Sequence, residues 1–127
     1  MTRLLTFLLG LLFILQTTSA QDKTAYDKSK TSTDTELDFA FTDKRGIESK
    51  NGIIYYVEKD KKTLTAYENE KIKWQTNIIE ICGQPAVGQP EIRYVKLDND
   101  TLSIVFGKHS LVSVDISNGK TTYLGAD

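Results

Sequence analysis

Residues 53–74 read IIYYVEKDKKTLTAYENEKIKW, and residues 102–123 read LSIVFGKHSLVSVDISNGKTTY. Neither stretch keeps the 3.6-residue period of an amphipathic helix. In Ile53-Ile54-Tyr55-Tyr56-Val57 every position is apolar, which suits a central strand covered on both faces. In the second stretch Leu102, Ile104 and Phe106 share one face, as do Val112, Val114 and Ile116. Ile92 to Leu97 (IRYVKL) is β-rich in the same way. Short polar clusters separate the runs: Lys50-Asn51-Gly52, Lys59 to Lys62, Asp98-Asn99-Asp100, Gly107-Lys108-His109 and Ser117-Asn118-Gly119. Asn and Gly accept the positive φ that tight hairpins need. Side by side, Ile54 meets Leu102, Tyr56 meets Ile104, Leu64 meets Leu111, Lys71 meets Lys120 and Trp74 meets Tyr123. One more strand stands upstream of each copy, Glu36 to Phe41 (ELDFAF) and Glu91 to Leu97 (EIRYVKL). The chain therefore reads as all-β, in two four-stranded antiparallel halves.

The two halves resemble blades of β-propellers, most nearly the quinoprotein-like repeat. Gly52, Leu64, Ala66, Lys71 and Trp74 carry the likeness in the first half. Leu111, Asp115, Gly119 and Lys120 carry it in the second, where Tyr123 stands for the tryptophan. A closed propeller needs roughly four to eight blades, and two copies fall short of that. The resemblance implies two blades packed as a small sandwich or an incomplete propeller, or several chains assembling a ring. It carries no quinone, metal or dehydrogenase chemistry to this chain, and no cofactor is expected.

The repeats set the domain boundaries. Residues 1–20 have the three parts of a secretory signal peptide: Arg3, the apolar block Leu4 to Leu15, and the small residues Thr18-Ser19-Ala20. As a helix that block reaches about 18 Å, short of the roughly 30 Å hydrocarbon core. No membrane insertion is expected once the signal is cleaved. Residues 21–35 are polar and read as a flexible tether. Repeat one spans 36–80 and repeat two 91–127. Between them ICGQPAVGQP, residues 81–90, holds both prolines and the lone cysteine. Proline removes ladder donors and glycine permits tight bends, so this decapeptide reads as a joint.

Charge excludes one class of partner. The chain carries 16 Lys and Arg against 17 Asp and Glu, for a formal net charge of −1. The signs alternate along the sequence and form no basic stripe, so no nucleic-acid partner is expected. Cys82 and His109 are each the sole residue of their type. A thiolate nucleophile needs a neighbouring base, but apolar Ile79 and Ile81 beside Cys82 favour burial. One cysteine forms no internal disulfide, leaving burial or pairing between chains. One histidine and one cysteine are too few ligands for zinc. Asp98-Asn99-Asp100 lacks the glycine and distal glutamate of a calcium loop and reads as a turn.

What remains are turn tips and aromatics. Tyr55, Tyr56, Tyr67, Trp74, Tyr94 and Tyr123 all fall in expected strands, where they read first as core and cross-strand pairs; an outward tyrosine near Arg93 or Lys73 would instead make a stacking platform. The candidate ligand-binding surface joins Arg93, Tyr94, Lys108 and His109. The expectation is an exported, periplasmic or secreted, non-catalytic binding or protein-interaction module of a bacterial cell envelope. Its ligand would be a protein or a carbohydrate, and an oligomer is allowed. The alternative is a lectin-like protein assembled from two-blade chains.

Overall fold

The computed structural model describes residues 26–127. The signal-like segment, the cut after Ala20 and the first part of the expected tether lie outside them. Ten strands follow: β1 (Thr31–Ser32), β2 (Glu36–Asp38), β3 (Gly46–Glu48), β4 (Ile54–Val57), β5 (Thr63–Glu68), β6 (Lys71–Asn77), β7 (Ile92–Leu97), β8 (Thr101–Phe106), β9 (Ser110–Asp115) and β10 (Thr121–Ala126). One helical turn, α1 (Ile78–Cys82), separates β6 from β7. The strands form two five-stranded sheets, β1-β3-β4-β5-β6 and β2-β7-β8-β9-β10. They pack as a sandwich and do not close into a propeller. The all-β reading holds.

Each sheet is an antiparallel four-strand meander with one extra strand on its first edge. The extra strand β1 runs parallel to β3, whereas β2 runs antiparallel to β7. This corrects the first half. Glu36 to Phe41 does not open repeat one; its ordered part, β2, pairs with β7 of the other sheet. The short strand β3 takes its place beside β4. On the edge of β7 the strand gains backbone partners, and Leu37, opposite Val95, enters the core shared by both sheets.

The inter-sheet core contains Tyr55, Val57, Leu64, Ala66 and Trp74 from the first sheet. It contains Ile92, Val95, Leu102, Ile104, Phe106, Val112 and Val114 from the second. The pairing of Ile54 with Leu102 is therefore slipped by one residue. Ile54 lies on the outer face of the first sheet, with Tyr56 and Tyr67, while Leu102 faces inward. Leu64 and Leu111 differ likewise, one fully buried and the other exposed. Strand periodicity is two, so a one-residue slip exchanges faces. The duplication holds at the level of the meander and not of those residue pairs.

Tyr26 corrects the tether. Its ring lies 4.7 Å from that of Tyr67 and 5.9 Å from that of Tyr56, centroid to centroid, and it is buried. The chain then makes a 3-10 turn at Lys28–Lys30, with Asp27 accepting from the Ser29 N–H at 3.0 Å, and enters β1. This segment is bound because β4 is apolar on both faces and its outer face needs a cover.

The turns fall where the polar clusters stand. In the β5–β6 hairpin, Asn69 and Glu70 both take positive φ, at 52° and 65°, as a two-residue turn of this hand requires. Gly119, at φ 77°, sits against the Trp74 ring, where an added Cβ would come within 2.7 Å of ring atoms. The Trp74 indole N–H donates across the sandwich to the Ile116 carbonyl at 2.7 Å. The last residues assigned to repeat one and the first two of the joint form α1. Asn77 caps its start, accepting from the Glu80 N–H at 3.0 Å, and the Gly83 N–H donates to the Ile79 carbonyl at its end. Ile78 and Ile79 bury into the core. The rest of the decapeptide leads to β7 and lies on the β8–β9 turn, with the Lys108 N–H donating to the Val87 carbonyl at 2.8 Å.

Candidate functional site

The four sequence-chosen residues divide between two places. Arg93 and Tyr94 sit at a bulge, where Ile92 and Tyr94 oppose the consecutive residues Phe106 and Val105. The bulge leaves Arg93 as the extra residue, so Ile92 and Val95 both face the core while Arg93 and Tyr94 turn outward. Arg93 is exposed and Tyr94 half-buried. Burial, then the neighbouring Glu36 carboxylate, pushes the Tyr94 phenol up. Lys108 and His109 are exposed at the β8–β9 turn, and the His109 carbonyl accepts from the Asp127 N–H at 3.0 Å.

Arg93 lines a hollow of about 360 Å³ together with Phe39, Arg45, Lys61, Glu91 and Asp38. Tyr94, Lys108 and His109 are not among its lining residues. An adjoining hollow of about 240 Å³ shares Arg45 and Lys61 and adds Lys30, Lys59, Asp27 and Tyr56. The smaller is lined by the N-terminal segment, the first sheet and its β4–β5 turn alone, while the larger opens at the seam where the sheets meet. The Ile92 N–H donates to the Lys61 carbonyl at 2.7 Å there, tying the β4–β5 turn of one sheet to β7 of the other.

Arg45 stands between the hollows. Its backbone is fixed on both sides: its N–H donates to the Lys30 carbonyl at 2.7 Å, and its carbonyl accepts from the Val57 N–H at 2.9 Å. Its guanidinium lies over the Phe39 ring, 4.4 Å from the centroid. Nε and Nη2 donate to the carbonyls of Val57 and Glu58, each at a long 3.4 Å. Burial lowers its pKa, opposed by Tyr56 and Glu91; a guanidinium stays protonated through such a shift. Among the described residues no carboxylate lies within 4.0 Å of it.

The sequence reading missed Arg45, and nothing local marks it. The cations of this region come from Lys30, Arg45, Lys59, Lys61 and Arg93, which are scattered along the chain. Only the crossing of β2 to the second sheet and the anchoring of the N-terminal segment bring them together.

The other candidates are placed as follows. Cys82 is half-buried against the core, and burial pushes its thiol up. Among the described residues no group of three or more His, Cys, Asp or Glu is arranged to hold a metal. Asp98-Asn99-Asp100 is a hairpin turn closed by the Asp98 N–H to the Thr101 carbonyl at 2.9 Å. Most of the strand aromatics are core, as expected: Tyr55, Tyr56, Tyr67 and Trp74 are buried, whereas Tyr94 is half-buried and Tyr123 is 47% exposed. At the other end of the sandwich, a wider hollow of about 580 Å³ lies between the β3–β4 and β7–β8 turns, with Tyr55, Leu97, Asn51 and Asn99 on its walls.

No family model, no curated protein and no solved structure matches this chain.

Proposed function

We propose that this chain is an exported, non-catalytic binding module of a bacterial cell envelope, which holds its ligand at the seam end of the sandwich. One observation carries the reading. Arg45 is anchored by its backbone, braced on Phe39 and, among the described residues, without a carboxylate partner at the junction of two open hollows. A guanidinium kept this way has donors to spare and loses little freedom on binding. The state of the thiol supports a non-catalytic role. Burial holds the Cys82 pKa up, whereas a nucleophilic cysteine needs it lowered. Export rests on the charged, apolar and small-residue succession of the first twenty residues.

The test is a glycan, peptide and metabolite array probed with residues 21–127, in wild-type and Cys82→Ser forms. Saturable capture that is equal in both forms is the expected result. Turnover of an arrayed compound that disappears in Cys82→Ser would replace this reading with a thiol enzyme. An array on which nothing is retained refutes it.

A further inference from the structure

The donor inventory of Arg45 and the charges around it specify what the seam end binds. A guanidinium has five N–H donors in a planar fork. Two are directed at the Val57 and Glu58 carbonyls, from Nε and Nη2. Among the described residues, that leaves both donors of Nη1 and one of Nη2 without a partner. The end of the fork, where Nη1 and Nη2 run side by side, therefore has a free donor on each nitrogen. A pair of parallel N–H groups fits two oxygens of one carboxylate or phosphate.

The nearby charges favour more than one negative charge on the ligand. The two hollows are lined by five cations, Lys30, Arg45, Lys59, Lys61 and Arg93, and three carboxylates, Asp27, Asp38 and Glu91, which leaves an excess of two positive charges. Asp27 accepts from the Ser29 N–H and hydroxyl, Asp38 accepts from the Ala40 N–H, and Glu91 lies 3.9 Å from Lys61. Among the described residues Lys30, Lys59 and Arg93, like Arg45, have no carboxylate within 4.0 Å, while Lys61 is shared with Glu91. Arg45 and Lys61 belong to both hollows, so a ligand reaching from one to the other passes both.

We infer that the Arg45 seam is a binding site for a small multiply charged oxyanion, a polycarboxylate or a phosphate ester, held end-on by the Arg45 fork and flanked by Lys61 and Arg93. This rests on the binding-module reading and names the chemistry of its ligand. Lys30 and Lys59 add charge on the side of the smaller hollow, and Phe39 keeps the guanidinium in plane.

The test is titration calorimetry of residues 21–127 with citrate and with inorganic phosphate, against sodium chloride at matched ionic strength. Arg45→Met, Lys61→Gln, Arg93→Gln and the remote control Lys71→Gln are run in parallel. The expected result is saturable binding of at least one anion. Arg45→Met weakens it roughly tenfold or more, the loss of a charge-assisted fork. Lys61→Gln and Arg93→Gln each weaken it several-fold, about the effect of one flanking charge, and Lys71→Gln leaves it unchanged. Binding of citrate alone identifies a carboxylate ligand, and binding of phosphate alone a phosphate group. If Arg45→Met does not fold, the two exposed positions decide the matter. Heats from both anions no different from those of chloride overturn the inference, as does binding that none of the three site variants weakens. An array ligand whose capture is indifferent to Arg45, Lys61 and Arg93 also overturns it, yet leaves the binding module standing.

Discussion

Replacing Tyr26 with alanine removes the cover from the outer face of the first sheet. Tyr26 is 9% exposed, and its ring meets those of Tyr56 and Tyr67. An aromatic side chain of this kind takes about 150 Å² or more out of water. At about 25 cal/mol per Å² that is on the order of 3–4 kcal/mol. Residual burial in the unfolded chain reduces the figure by roughly 10–40%, leaving about 2–3 kcal/mol. The anchored segment is short, and each residue it frees regains about 1–2 kcal/mol of conformational freedom. Part of the effect will therefore appear as local release of residues 26–32 before global unfolding. Urea denaturation followed by Trp74 fluorescence reads the global part. Hydrogen exchange at the Arg45 N–H, bonded to the Lys30 carbonyl, reads the local part. Tyr26→Phe is expected to stay within about 0.5 kcal/mol of wild type, since the ring supplies the contact. A Tyr26→Ala loss below about 0.5 kcal/mol, with protection at Arg45 unchanged, would show that this segment does not cover the sheet in solution.

Other perturbations read separate parts of the structure. Gly119→Ala forces a Cβ into a position at φ 77° and within 2.7 Å of Trp74 ring atoms; a thermal melt is expected to show a loss of about 2 kcal/mol or more, strain and clash together. Trp74→Phe deletes the N–H donated to Ile116, and a loss of about 1–3 kcal/mol is expected in the same assay. Asp60 is pushed up by burial, but the Thr63 hydroxyl and the Lys62 and Thr63 N–H groups outweigh this and lower its pKa from 3.8. A lowered folded-state value stabilises above the unfolded pKa and stops doing so as pH falls through the folded one. Wild type is therefore expected to exceed Asp60→Ala in stability near neutrality, by a margin that narrows below 3.8; a margin independent of pH contradicts the assignment. The raised Cys82 thiol is expected to react more slowly with iodoacetamide at neutral pH than a free cysteine, because the thiolate is the reacting form.

The sheets were legible because their signals are local. Alternation in β8 and β9 gave the core faces of the second sheet, and the doubly apolar run Ile53 to Val57 gave a central strand. Asn and Gly marked hairpin turns. Three features were hidden for physical reasons. The strand β3 has one apolar residue, Ile47, too few for a pattern. The helical turn α1 is set by its caps, Asn77 and Gly83, on a segment whose isoleucines suit a strand equally well. The exchange of β2 is a long-range pairing with β7 that no pattern within Glu36 to Phe41 specifies. The copy-to-copy alignment failed by one residue because identical residue types, such as Leu64 and Leu111, outweighed facing. Facing decides which side chains enter a core.

The N-terminal segment and the site were lost to sequence reading for one reason. Composition judged residues 21–35 by how little they bury of their own, and by that measure they do not fold. For residues 26–35 what matters is the apolar surface waiting for them. Tyr56 and Tyr67 leave an outer face that one tyrosine completes, and Tyr26 holds the following residues where the Lys30 carbonyl takes the Arg45 N–H. The same segment brings Asp27 and Lys30 to the smaller hollow. The position of Arg45 is thus fixed from both sides, by β4 and by a stretch that reads as linker. A cation with no marking in its own neighbourhood becomes the organising residue of the seam only because distant polar and apolar signals are met together.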